Sequence, residues 1–192
     1  MREVEGLGRK AFPCDCQTTA LVARRIPPLY RNARLADFKE ATIARVRLFF
    51  SQPDALGLLI VGPTGVGKTY LAAAITRELI ENRQPVHFLE VSRLYSELRE
   101  CMRSDESEET LLAQYVNVRW LVLDDFGAGA LTDFERRYAL DLLNRRANAK
   151  RKTILTTNLR LEEIAEKVDE RIASRLSGFQ QIEAQGKDRR AQ

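Results

Sequence analysis

Cysteine and histidine are scarce in this chain of 192 residues, at three and one. So few leave little material for a disulfide framework, and a reducing, cytoplasmic setting is the expectation. Long apolar runs are missing too: none approaches the ~20 residues of a membrane span. The opening MREVEGLGRK holds two acidic residues with no apolar stretch behind it, unlike a secretory signal peptide. There is no internal repeat and no low-complexity segment. What is present is an ordinary globular composition, 44% hydrophobic and 30% charged, in a length that suits one domain with a real core.

The net charge of +4 is unevenly spread. Residues 1–47 carry ten Lys/Arg against five Asp/Glu, and residues 145–192 carry twelve against seven. Residues 48–144 between them are acidic, nine against fifteen. Basic ends around an acidic middle suit contact with a polyanion or an acidic partner; dispersed, solvated charge is the plainer reading.

Short apolar runs alternate with helical spacings. Residues 1–37 read as irregular, broken at Pro27-Pro28. Residues 39–52 place Ile43, Val46 and Phe50 at helical spacing. Buried strands are expected at 58–61, 86–91, 120–125 and 153–158, with a fifth at 179–184. Helices are expected at 70–82, 92–103 and 107–117, after Thr132, and as one segment from about 159 to Leu176. TDFE at 132–135 fits a capping box. Strands alternating with helices imply a mostly parallel, three-layered α/β sheet, with ligands beyond the carboxyl ends of its strands.

The chemistry-bearing motifs fall at those ends. GPTGVGKT at 62–69 fits G-x-x-x-x-G-K-[ST] at every fixed position, after an expected strand and before an expected helix. Gly62, Gly65 and Gly67 give the loop its freedom. With Pro63, Thr64 and Val66, and Tyr70 just beyond, they form the expected cradle for ATP phosphates at a helix N-terminus. Lys68 is expected on the β- and γ-phosphates and Thr69 on Mg²⁺. WLVLDD (120–125) delivers Asp124 to a strand end, where a carboxylate can share the Mg²⁺ with Thr69. Asp125 follows as the candidate to orient an attacking water. Machines of this type often carry Glu there, so slow hydrolysis is expected. TILTTN ends on Asn158, a carboxamide suited to holding that water. In DERIASRLSG, Arg171 and Arg175 stand four apart beside an apolar stripe of Ile172 and Leu176. They can reach a neighbouring subunit's γ-phosphate, or simply pair with Glu166, Asp169 or Glu170. LSGFQQ (176–181) lies after the WLVLDD strand, the wrong side for a transporter-type signature.

Cys14 and Cys16 offer two thiols, but structural zinc takes four ligands; Cys101 and His87 are the remaining candidates, and unpaired thiols are the simpler reading. Arg93, Arg99 and Arg103 with Tyr95, which could stack on a base, are the nominated DNA contacts; a solvated basic face with Tyr95 packed is the alternative. RRANAKRK (145–152) reads as a helix end whose cations suit the helix dipole, and KDRR (187–190) as a basic tail.

In their order, these motifs resemble the AAA+ ATPases. RIPPLYRNARLADF (25–38), GPTGVGKTYLAAAI (62–75), LVLDDFG (121–127), TILTTN (153–158) and ERIASRLSG (170–178) together resemble the DnaC/DnaI helicase loaders and the related IstB transposition ATPases, over about residues 12–190. The resemblance implies an α/β, three-layered P-loop fold with a parallel five-stranded sheet and no separate helical lid domain. It implies residues 1–37 as an N-terminal segment and linker before an ATPase domain at 38–192. Lys68 and Thr69 match the Walker A pair, Asp124 and Asp125 match Walker B, and Asn158 matches sensor 1. Arg175 matches the arginine finger, with Arg171 a second candidate. It implies ATP-dependent homo-oligomers on single-stranded DNA that load a replicative helicase, or a helper of a transposase. About 25 residues precede the first matching segment, fewer than helicase loaders use for their helicase-binding region. Two other readings keep a place: a small-molecule P-loop kinase, which needs a lid not found here, and an ATP-gated adaptor that does not hydrolyse.

Overall fold

The computed structural model describes residues 15–104 and 107–184, the side chains of residues 15 and 16 excepted. In chain order it holds α1 (Asp15–Arg25), α2 (Glu40–Ser51), β1 (Gly57–Val61), α3 (Lys68–Glu81), β2 (Val86–Glu90), α4 (Val91–Cys101) and α5 (Glu108–Asn117). Then come β3 (Trp120–Phe126), α6 (Asp133–Asn148), β4 (Lys152–Thr157), α7 (Leu161–Lys167), α8 (Glu170–Leu176) and β5 (Gln180–Glu183). The five strands form one parallel sheet in the order β2-β3-β4-β1-β5.

Parallel strands are covered on both faces, so their sequences read as continuous apolar runs, and alternate residues serve opposite cores. Leu58, Ile60, Val122 and Ile154 pack with α2, α3 and Val22 of α1. Leu59, Leu121, Leu123 and Leu155 pack with α4 to α8. Ala72, Ala73 and Ala74 are buried and bring α3 close to the sheet. Thr132 caps α6: its hydroxyl accepts from the Glu135 amide at 3.3 Å, and the Glu135 carboxylate accepts from the Thr132 amide at 2.8 Å.

Two expectations are corrected. Residues 15–25 are not irregular but helical. Helix α1 is held by tertiary contacts that local propensity does not announce: Val22 is buried, and so is Ile26 just beyond the helix. Arg25 also donates to Nδ1 of His87 at 2.7 Å. Burial, reinforced by the Arg25 guanidinium, pushes the His87 imidazole down to about 4, so it stays a neutral acceptor. Second, the segment after β4 is two helices, not one. The Asp169 carboxylate accepts from the amides of Arg171 at 2.8 Å and Ile172 at 3.3 Å, starting a new helix where the apolar spacing runs on.

The basic run at 145–152 is divided between surface and interior. Arg145 pairs with Glu109 and Asp141. Arg146 is fully buried. Its guanidinium donates to the carbonyls of Val118 at 3.0 Å, Val116 at 3.2 Å, Lys152 at 2.5 Å and Tyr115, and to Oγ1 of Thr153 at 3.0 Å. Burial lowers its pKa to about 9, which leaves it charged at neutral pH. It binds the end of α5 to the start of β4.

Candidate functional site

The site assembles where β1, β3 and β4 end. Beyond β1 the Gly62 amide donates to the Thr157 carbonyl at 3.3 Å. A Cβ on Gly62 would lie 2.5 Å from the carbonyl oxygen of Ala184, so only glycine lets the loop pass β5. Gly67 precedes α3 at φ +97°, left-handed backbone that favours glycine. Helix α3 therefore points its free amides, and the positive end of its dipole, at the loop. Pro63 and Thr64 are exposed, and Val66 is buried beneath the loop.

Lys68, only 7% exposed, donates from Nζ to the Pro63 carbonyl at 2.8 Å and to Oδ1 of Asn158 at 2.5 Å. Thus the carboxamide just past the end of β4 meets the loop lysine directly. Asp124 is buried at the end of β3. Its carboxylate accepts from the hydroxyl of Thr156 at 2.7 Å and from that of Thr69. Burial is the largest influence on Asp124 and raises its pKa, while the two hydroxyls oppose the rise and Asp125 and Glu90 add to it. The donor set, one hydroxyl beside one carboxylate, fits Mg²⁺, which binds few protein groups and completes its shell with water and phosphate oxygens.

Asp125 is exposed and adopts φ +62°. Asp enters the left-handed region far more readily than most side chains, which gives a physical reason for a short carboxylate here. Its amide donates to Oγ1 of Thr156 at 2.9 Å. Thr156 was not among the sequence candidates; the available signal was a hydroxyl on a buried strand two residues before Asn158. Tyr70 turns the other way, donating to Oδ2 of Asp37 at 2.7 Å and packing on Phe38 at 5.8 Å between ring centroids.

The sequence candidates outside this cluster separate. Arg171 and Arg175 are exposed on α8, over buried Ile172 and Leu176. Arg171 is held by its own chain, its guanidinium donating to Oδ2 of Asp169 at 2.9 Å. Arg175 makes no hydrogen bond or ion pair with the described residues. On α4, Arg93 pairs with Glu97 at 2.7 Å, and Arg99 pairs with Glu135 at 2.6 Å. Arg103 is exposed, in a shallow polar cleft with Ser96, Arg99, Glu100 and Ser104. Tyr95 is corrected: it is 3% exposed within the core, and its ring cannot stack on a base. One residue from Leu94, four from Val91 and three from Leu98, it shares their buried stripe.

Cys14 lies outside the described residues, as does the side chain of Cys16; Cys101 is buried. Among the described residues no group of three or more His, Cys, Asp or Glu is placed to hold a metal ion. None of the described helices is long and apolar enough to cross a membrane.

The family model described as IstB-like ATP binding protein matches residues 30–176. The replicative helicase loader DnaC of Escherichia coli (strain K12) is 29% identical over 160 residues, 79% of this chain and 65% of that protein. The ATP-binding protein of insertion sequence IS1162 from Pseudomonas fluorescens is 38% identical over 102 residues, 53% of this chain and 43% of that one. The chain thus spans less than two thirds of the length of these relatives. The crystal structure of the DnaC helicase loader superposes with a TM-score of 0.74 at 25% identity, covering 83% of this chain and 100% of that one.

Proposed function

From the premise that this chain belongs to the IstB-like ATP-binding proteins, with an AAA+ fold, we propose that it hydrolyses ATP slowly, assembles on single-stranded DNA when ATP is bound, and loads a replicative helicase. The observation that carries this reading is the convergence of Lys68, Asn158, Thr69 and Asp124 at one edge of the sheet, with Arg175 on α8 making no hydrogen bond or ion pair with the described residues.

ATP, when bound, supplies a phosphoanhydride and, with Mg²⁺, an electrophilic γ-phosphorus. The amides at the start of α3 cradle its phosphate oxygens. Lys68 offsets charge on the β- and γ-phosphates. Thr69 and Asp124 hold Mg²⁺ from the protein side. The exposed Asp125 carboxylate orients a water and takes up its proton, and the Asn158 amide steadies that water. Arg175 of one subunit meets the γ-phosphate on the next. Arg93 and Arg99 on α4, with Arg103 in the turn just after it, are the candidate phosphate contacts for the DNA strand, although Arg93 and Arg99 must share their charge with Glu97 and Glu135.

The match to the IstB-like family, and to an insertion-sequence ATP-binding protein, favours a second reading in which the same assembly serves a transposase.

The test is mass measurement with ATP and single-stranded DNA, each alone and together, alongside phosphate release. Oligomers should require both ligands. Lys68→Ala should lower nucleotide affinity on the order of 100-fold, about two units of log K at 1.4 kcal/mol each, and abolish assembly. A wild-type chain that stays monomeric with both ligands sinks the proposal. If the wild type assembles normally but releases no more phosphate than an Asp125→Asn background control, with no turnover in either, the chain is a non-hydrolysing adaptor. Helicase loading assayed against stimulation of transposase strand transfer separates the two partner readings.

A further inference from the structure

We infer that Thr156 is a positioning residue that sets the Asp124–Asp125 pair, a role that rests on the nucleotide-site reading above. The reason lies in the register of β3 and β4. Leu123 faces Leu155, and the next pair is Phe126 with Thr157. Two residues of β3, Asp124 and Asp125, therefore oppose the single residue Thr156. This is a β-bulge, the device by which a strand re-aims a side chain at the cost of ladder hydrogen bonds.

The Thr156 side chain spans the gap. Its Oγ1 donates to Oδ1 of Asp124 at 2.7 Å and accepts from the amide of Asp125 at 2.9 Å. Thr156 is 1% exposed, out of reach of bulk solvent. One hydroxyl thereby performs two tasks. It satisfies a buried carboxylate, which would otherwise pay for its desolvation with a single remaining donor, Thr69. It also replaces the ladder partner of Asp125, whose φ of +62° needs a fixed hydrogen bond to persist. The donor direction is dictated: an ionised carboxylate only accepts and an amide only donates, so the hydroxyl must bridge them as observed.

The one Thr156 hydroxyl thus touches both acidic residues through hydrogen bonds. Losing the hydroxyl should therefore loosen the Mg²⁺ carboxylate and the water-orienting carboxylate together. Second-layer partners of metal ligands commonly cost 10–100-fold when removed.

Thr156→Ser and Thr156→Ala remove the same methyl group and differ only in the hydroxyl. Thr156→Val keeps the shape without the hydroxyl. In the protein without nucleotide, Val and Ala should speed hydrogen exchange of the Asp125 amide at least 10-fold, and Ser should not. With nucleotide, Val and Ala should raise the Mg²⁺ concentration needed for half-maximal binding of a fluorescent ATP analogue about 10-fold or more. Binding measured in EDTA should be unchanged, and Ser should stay within about threefold of wild type. Should Val not fold, the Ser and Ala pair decides alone. Equal Mg²⁺ requirement and equal Asp125 exchange in Ser and Ala overturn the inference. A wild-type chain with no Mg²⁺-dependent nucleotide binding overturns the proposed function instead, while the exchange comparison still tests the bridge.

Discussion

Arg175→Ala is expected to reduce DNA-stimulated ATP turnover on the order of 1,000-fold while leaving the thermal melt almost untouched. The magnitude follows from what an arginine supplied in trans contributes to phosphoryl transfer, about 10³–10⁵ in rate. The stability half follows from the structure: the side chain is exposed on α8 and holds no ion pair with the described residues, so its removal should change folding by no more than about 0.5 kcal/mol. Arg171→Ala should behave in the opposite proportion. Its guanidinium is committed to Asp169, which also caps α8, so a small loss of helix order is expected with little loss of turnover.

Mixing decides whether the arginine acts across a subunit boundary. A chain with Lys68→Ala lacks a working loop but keeps Arg175. A chain with Arg175→Ala has the reverse. Each alone should be inactive, and the equimolar mixture should recover part of the turnover, because some junctions combine an intact loop with an intact arginine. No recovery places the arginine in its own subunit's site, and unchanged turnover in Arg175→Ala removes it from the mechanism.

Arg146→Ala is expected to cost about 3–5 kcal/mol of folding stability, enough to consume much of the roughly 5–15 kcal/mol that a domain possesses. The side chain is the largest fully buried one, so truncation leaves a cavity. It also strips donors from four carbonyls and the Thr153 hydroxyl, and unsatisfied buried acceptors cost about 1–3 kcal/mol each before relaxation. Arg146→Met fills most of the volume without donors and should recover only the packing part. Urea denaturation checks this: the midpoint should fall with little change in slope. An unfolding free energy within about 0.5 kcal/mol of wild type would show that α5 and β4 do not depend on this anchor.

Much of the candidate nucleotide site is legible in the sequence because its residues stand where the strand pattern must end. LLIV and WLVLDD are buried on both faces, and a polar group following such a run has to emerge at the sheet's carboxyl edge. Lys68, Asp124 and Asn158 all follow that logic. For Tyr95 the packed alternative holds, and the pattern carries it: Val91, Leu94, Tyr95 and Leu98 fall at positions one, four, five and eight, a buried helical stripe. The remaining differences lie beyond one-dimensional pattern. Arg146 sits in a run of cations that reads as surface, and only the carbonyls arriving from α5 and β4 draw it inward. Helix α1 is short and weakly apolar, so its order comes from Val22 and from the Arg25–His87 contact 62 residues away in sequence. The bulge at Asp124–Asp125 is a relation between two strands, and neither strand alone contains it.

The contact between Gly62 and Ala184 has a mechanical consequence. The Ala184 amide holds the Val61 carbonyl at 2.7 Å, and the Ala184 carbonyl leaves no room for a β-carbon on Gly62. β5 is only four residues long and borders β1 alone. The phosphate loop is thus braced on one flank by the least supported strand of the sheet. Any pull on β5 is a pull on the first peptide of that loop, which makes the sheet's outer margin a lever on its ligand.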